Sequence, residues 1–193
     1  AFQAEGEFRG VSAESPFELL IRFPNANVTS DYPPLFMAFP VAQDLLQRIR
    51  PEGHFDLELS LKRLSWNGAV FPAGRITCRD ARMRFVHFPF PLDHLNGEIQ
   101  FNQEQVDFRQ VTANAEEASV LMNGTIGTVY ENPSCDFTVS SHDTVFDDRM
   151  AACLPEKYRK VWDAFSLQAT GGFVCRVLHG RSWYIEAGFE PEL

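Results

Sequence analysis

The chain lacks most of the signatures from which a function is read directly. No run of apolar residues approaches the roughly 18 needed to cross a bilayer as a helix, and the opening "AFQAEGEF" does not have the form of a signal peptide. There is no G-x-S-x-G elbow, no CxxC pair and no cysteine beside a histidine motif, so nucleophilic catalysis has no support. Tyrosine and tryptophan are scarce, at 4 and 3 residues. That leaves a glycan-handling enzyme without its usual aromatic platform, because Trp66, Trp162 and Trp183 are scattered. Positive charge is also short: 17 Lys and Arg stand against 26 Asp and Glu, a net charge of −9. No basic stripe offsets this, so nucleic acid is excluded as a partner and adhesion driven by an anionic membrane surface is disfavoured.

What is present is apolar and patterned. Of the 193 residues, 45% are hydrophobic, enough for a substantial core, and the length suits one large all-β unit or two small domains. Phenylalanine alone accounts for 18 positions. It has no polar atom, so the composition favours an extended dry surface over a wet recognition face. The four cysteines, Cys78, Cys135, Cys153 and Cys175, read as small buried apolar residues, with one disulfide as the alternative.

Alternation of period two dominates the chain. "FELLIRF" puts Phe17, Leu19, Ile21 and Phe23 on one face, and "FDLELSL" puts Phe55, Leu57, Leu59 and Leu61 there with Asp56, Glu58 and Ser60 opposite. The segments "GRITCRDARMRF", "GEIQF", "QVDFRQV", "SVLMNGTI", "CDFTV", "FVCRV" and "WYIEA" repeat the theme. One apolar face and one solvated face imply an antiparallel sheet. Roughly ten to twelve strands are expected, joined by turns at "NGE", "WNG", "NQEQ" and "NAEEA". Two stretches have helical spacing instead: "MAFPVAQDLLQRIR", stopped by Pro51 and Gly53, and "PEKYRKVWDAF", with Pro155 in its first turn.

The two helical stretches also expose an internal repeat. Gly6, Pro16 and Gly53 recur as Gly124, Pro133 and Gly171, an offset near 118 residues, with the order strand, strand, helix, Gly, strand in each copy. The first module is expected over about 6–123 and a truncated second over about 124–193. Both chain ends read as cuts through a longer protein.

The complete module, from Gly53 through "GRITCRDARMRFVHFPFPLDHLNGEIQFNQEQVDFRQVTANAEEASVLMNGTI", resembles the AsmA-like family of bacterial envelope proteins, which includes the TamB-like, bridge-like lipid transporters. The resemblance implies a long, open, curved antiparallel sheet, folded like a taco around an apolar groove. It implies a periplasmic location, a parent protein anchored in the inner membrane, and a role in lipid transfer or envelope assembly. It also implies partners among phospholipids, flanking modules and other envelope proteins, with no enzymatic activity and no cofactor. The expected groove-lining residues are Phe55, Leu57, Leu59, Leu61, Ile99, Phe101, Val106, Phe108, Val120 and Met122. At about 25 cal/mol per Å² of buried apolar surface, one acyl chain gains several kcal/mol in such a groove. A closed sandwich with a filled interior, serving as a scaffold, has the same alternation and is the alternative reading.

Polar candidates have plainer explanations. His87 and His94 flank "FPFPLD" seven residues apart without a converging third ligand, so they read as strand-edge or turn residues, not a metal site. His142, Asp143, Asp147 and Asp148 lack the glycine and spacing of a calcium loop and read as an exposed acidic loop. Glu116 and Glu117 are thrown to opposite faces by the hairpin and make a poor acid/base couple. Asn27 and Asn123 begin glycosylation sequons of a kind common by chance. Pro89 and Pro91 are expected to end a strand, with Phe88 and Phe90 anchoring the corner, a turn at Asp93–Asn96 and a new strand from Gly97.

Overall fold

In the computed structural model, which describes residues 2–28, 50–84, 91–116, 118–127, 134–153, 156–165, 169–179 and 183–191, the spatial order of the strands is the order of the chain. They are β1 (Gln3–Phe8), β2 (Phe17–Val28), β3 (Glu52–Arg63), β4 (Phe71–Arg84), β5 (Pro91–Phe101), β6 (Gln105–Ala115), β7 (Ala118–Gly127), β8 (Cys135–Phe146), β9 (Ala169–His179) and β10 (Trp183–Pro191). All ten form one antiparallel sheet in which β1 and β10 are the edges. The mainly-β antiparallel sheet expected from the alternation is therefore present, in the open form that the family resemblance implies. Between β8 and β9 lie two short helices, α1 (Asp148–Cys153) and α2 (Glu156–Phe165). The second helical stretch of the sequence is α2; residues 37–49 of the first lie outside the described residues.

The pleat explains which side chains go inside. On β3, Phe55, Leu57, Leu59 and Leu61 are buried while their neighbours are not. On most other long strands the inward parity slips once. On β4 it runs Ile76, Cys78, then Ala81, Met83; on β6 it runs Val106, Phe108, then Val111, Ala113, Ala115. Each slip coincides with a bulge, where the register jumps at Phe23/Ala26, Cys78/Ala81, Phe108/Val111 and Ser141/Thr144. Non-glycine residues with positive φ sit in three of these bulges: Asn25, Asp80 and Gln110. Neighbouring positions on β3, β5 and β7 use Gly53, Gly97 and Gly124, each with positive φ. A bulge bends its strand and increases its twist, so a row of them across the sheet creases it. A single sheet without a second layer can hide its face from water only by curling over it.

Two expectations are corrected here. "NGE" at 96–98 is no turn but the interior of β5, and so is Asp93–Asn96; Met83 and Arg84 pair with Leu92 and Pro91. Asn-Gly is favoured in turns because both residues tolerate positive φ, and a bulge makes the same demand. The "FPFP" segment up to Phe90 lies outside the described residues. "WNG" falls between β3 and β4, and "NQEQ" and "NAEEA" span the passages from β5 to β6 and from β6 to β7.

A regularity in the pairing has the interval of the repeat expected from the sequence. Gly6 faces Leu19 in β1–β2, and Gly124 faces Phe137 in β7–β8, so both partners are displaced by 118 residues. The bulges at Phe23/Ala26 and Ser141/Thr144 are separated by the same interval. The next pair departs from it by two residues, since Phe23 faces Leu57 but Ser141 faces Phe173.

Candidate functional site: the inner face of the sheet

Nine of the ten expected groove residues are buried and the tenth, Phe101, is half-buried, all on the inner face. The sheet gathers Phe55, Ile99, Val106, Phe108, Val120 and Met122 into one apolar cluster that reaches from β2 to α2. Leu57, Leu59 and Leu61 belong to a second cluster with Ile21, and Ile76 and Phe101 pack against both. At the centre the side chains bury one another: Val111 and Met122 are 0% exposed, Leu95 and Val106 1%. That part of the interior is filled. Close packing is arranged around glycines. The Phe101 ring lies over Gly74, and the Phe108 and Phe137 rings meet edge-on at 5.0 Å on either side of Gly124.

The two ends of the inner face differ. At the β8–β9 end it is plugged. The Asp147 carboxylate accepts the N–H groups of Arg149 and Met150 and so caps α1. The Arg149 guanidinium ties that cap to Glu116 in the β6–β7 turn at 2.7 Å. Arg159 of α2 donates to the carbonyls of Ala151 and Ala152, which secures α2 to the end of α1. Met150, Ala151 and Trp162 then enter the core, with Trp162 6.1 Å from Phe146. The other extreme, toward β1, is uncovered. Phe17, Leu19 and Phe23 are only half-buried, and Phe2 and Phe8, which stack on Phe23 and Phe17, are 65% and 62% exposed. Sequence reasoning had put Phe17, Leu19 and Phe23 on one face but missed the β1 part of the strip, although the alternation of Phe2, Ala4, Gly6 and Phe8 with Gln3, Glu5 and Glu7 was there to be seen.

Apart from Arg63, whose guanidinium lies 5.3 Å from the Phe17 ring centroid on the inner side, the charges that pair between strands sit on the outer face, where signs alternate from strand to strand. Glu5 on β1 meets Arg22 on β2 at 2.7 Å, and Arg22 meets Glu58 on β3 at 3.0 Å. Glu58 faces Arg75 on β4, which meets Glu98 on β5 at 3.4 Å, and Glu98 faces Arg109 on β6. Farther along, a hydrogen bond and ion pair to Arg176 hold the Asp136 carboxyl below its usual range.

Among the described residues the polar candidates are not brought together at one place. His94 Nδ1 lies 2.5 Å from Asp80 Oδ1 across neighbouring bulges, at the rim of a polar cavity of about 460 Å³ lined also by Asn27, Glu52, Gly53 and Arg82. His87 lies outside the described residues. His142 and Asp143 belong to β8 and not to a loop; Asp143 accepts the Ser119 N–H, and Asp147 is committed to α1. Among the described residues no three His, Cys, Asp or Glu side chains are grouped to hold a metal ion, and no helix is long and apolar enough to cross a membrane. The four cysteines are unbonded thiols, so the disulfide alternative is not realised. Burial pushes the Cys78 thiol up to about 12 and raises Cys135 and Cys175 as well. Asn123 lies within β7, where its side chain accepts the Gln110 N–H. Glu117 is outside the described residues.

Set against family models, curated proteins and solved structures, the chain matches none.

Proposed function

We propose that the chain is a non-enzymatic lipid-binding module of an AsmA-like envelope protein, acting in lipid transfer or envelope assembly with the inner face of its sheet as the binding surface. One observation carries the reading. A single curled sheet turns apolar side chains inward from β2 through β8, with Ser141 and Thr144 the polar residues among its buried positions, and carries its charges on the outer face except for Arg63, which lies over the Phe17 ring. Such a surface takes acyl chains without directional chemistry, because transfer free energy scales with the apolar area removed from water. The filled centre moves the binding zone toward β1–β3, where Phe2, Phe8, Phe17, Leu19 and Phe23 remain accessible. The α1–α2 plug makes the face one-ended within this chain. The matched registers of β1–β2 and β7–β8 support a repeat of about 118 residues, with modules at 6–123 and 124–193. In the parent protein, flanking modules would continue the β1 and β10 edges, and the setting is the periplasm beside an inner-membrane anchor. An unpaired edge strand is a template for exactly such continuation.

A second reading has its own support. The mutual burial of Leu95, Val106, Val111 and Met122 suits a closed scaffold that binds no ligand. Native mass spectrometry separates the two. Leu19→Asp, on the half-buried inner face, abolishes co-purifying phospholipid under the first reading, while Leu121→Asp on the exposed outer face of β7 does not.

A further inference from the structure

We propose that the β1–β2 and β3–β4 hairpin tips form a lip that inserts into the interfacial layer of a lipid bilayer. The choice of a bilayer as partner rests on the lipid-binding reading above; the geometry of the lip does not.

The tips, residues 9–16 and 64–70, are locked together. Asn67 N–H donates to the Glu14 carbonyl at 3.1 Å, and the Arg63 guanidinium donates to the Ala13 carbonyl. Ser15 is 2% exposed and its hydroxyl oxygen accepts the Ser12 N–H, and the Gly10 backbone lies against the Trp66 ring. Yet this ordered platform presents Val11 at 108%, Leu64 at 71% and Trp66 at 58% exposure. Ordered loops normally hide such groups. Three protruding apolar side chains on a braced surface mark an interaction site.

The shape and chemistry favour a bilayer over a protein. Val11 and Leu64 protrude from hairpin tips, which suits entry between headgroups. Tryptophan is the residue enriched where membrane meets water. Of the flanking cations, Arg9 pairs with Glu7 at 3.7 Å and Lys62 with Glu18 at 3.4 Å, while Arg63 is held by the Ala13 carbonyl and the Phe17 ring, so insertion rests on apolar area more than on anionic lipid. This agrees with a net charge of −9, which disfavours adhesion driven by an anionic membrane surface. The lip is also continuous with the uncovered strip of the inner face: Phe8 leads out of β1 toward Val11, and Val70 packs on the cluster of Leu57, Leu59 and Leu61. An acyl chain passing between bilayer and inner face would cross this corner.

The test is co-sedimentation of the whole chain with phosphatidylcholine vesicles, together with quenching of Trp66 by brominated acyl chains. The wild type is expected to bind, with partitioning unchanged by added salt. The double variant Val11→Asp, Leu64→Asp alters only exposed positions and is expected to keep its circular dichroism while partitioning at least about tenfold more weakly. Trp66→Phe is expected to remove the quenching signal. Failure of the wild type to bind overturns the lip, as does equal binding by the double variant. Loss of a bound protein from that variant with vesicle binding intact overturns it too, in favour of a protein dock. Leu19→Asp separates this claim from the one beneath it. Vesicle binding retained with acyl binding lost supports the lip, whereas vesicle binding lost in Leu19→Asp but retained in the tip variant overturns it.

Discussion

Cys78 stands opposite Gly97 on the inner face, 3% exposed, with a thiol whose acidity is suppressed by burial alone. The thiolate is the reactive form, so at neutral pH an alkylating reagent should leave Cys78 unmodified in the folded chain and label it only after denaturation. Peptide mapping of the labelled protein checks this. Carboxylates behave in the opposite sense. Asp56 is held below its usual range first by the Asn25 N–H and then by Arg79, Asp136 by Arg176, and Asp147 by Arg149. Groups with depressed folded-state values stabilise above their unfolded pKa and lose that contribution as pH falls through the folded one. The denaturation midpoint should therefore be flat from neutrality to about pH 5 and fall below about pH 4. Asp56→Asn keeps an acceptor for Asn25 and should show a shallower acid slope. Individual residues were partly legible in the sequence. Alternation placed Phe55, Leu57, Leu59 and Leu61 on the inward face of β3, a strand whose inward parity does not slip. It could not show that Val106 and Met122 would be almost wholly shut off from water, since that depends on how far the sheet curls.

At the scale of the element, the bulges hold the account together. Three of them free an N–H that an Asp or Asn on the next strand accepts: Asn25 to Asp56 at 2.8 Å, Asp80 to Asn96 at 3.1 Å and Gln110 to Asn123 at 2.7 Å. The last two acceptors are each followed by a glycine of φ +135°, Gly97 and Gly124. A Cβ at Gly124 would lie 2.1 Å from the Asp136 carbonyl oxygen and 2.7 Å from the Phe137 Cα. Gly124→Ala should thus cost about 3 kcal/mol or more, from strain and steric clash together, read as a lower denaturant midpoint. These devices were half-visible in the sequence. The slip from Ile76 and Cys78 to Met83 in "ITCRDARM" is the mark of a bulge. "LNGE" has the same backbone requirement but resembles a turn, because local chemistry specifies positive φ without saying whether the chain reverses. The helix α2 was legible from its spacing; its seat on Phe146 through Trp162 was not, because contacts so distant in sequence leave no local pattern.

For the whole molecule, the sheet is a strip whose inner surface passes from filled to uncovered. Helices close it at one side, and β1, with all six residues exposed, leaves it bare at the other. The alternating charges of Glu5, Arg22, Glu58, Arg75 and Glu98 hold the outer face in register. Each exposed pair is worth under about 1 kcal/mol, so their role is to specify pairing and not to supply stability. A lipid-binding strip and an empty scaffold share every one of these features except an occupant on the accessible part of the inner face. The most direct measurement is native mass spectrometry of the purified chain, followed by identification of anything released on denaturation. The account predicts a phospholipid-sized mass increment that disappears in Leu19→Asp, persists in Leu121→Asp, and leaves both variants folded. A bare polypeptide mass for the wild type, or an increment indifferent to Leu19, would contradict it.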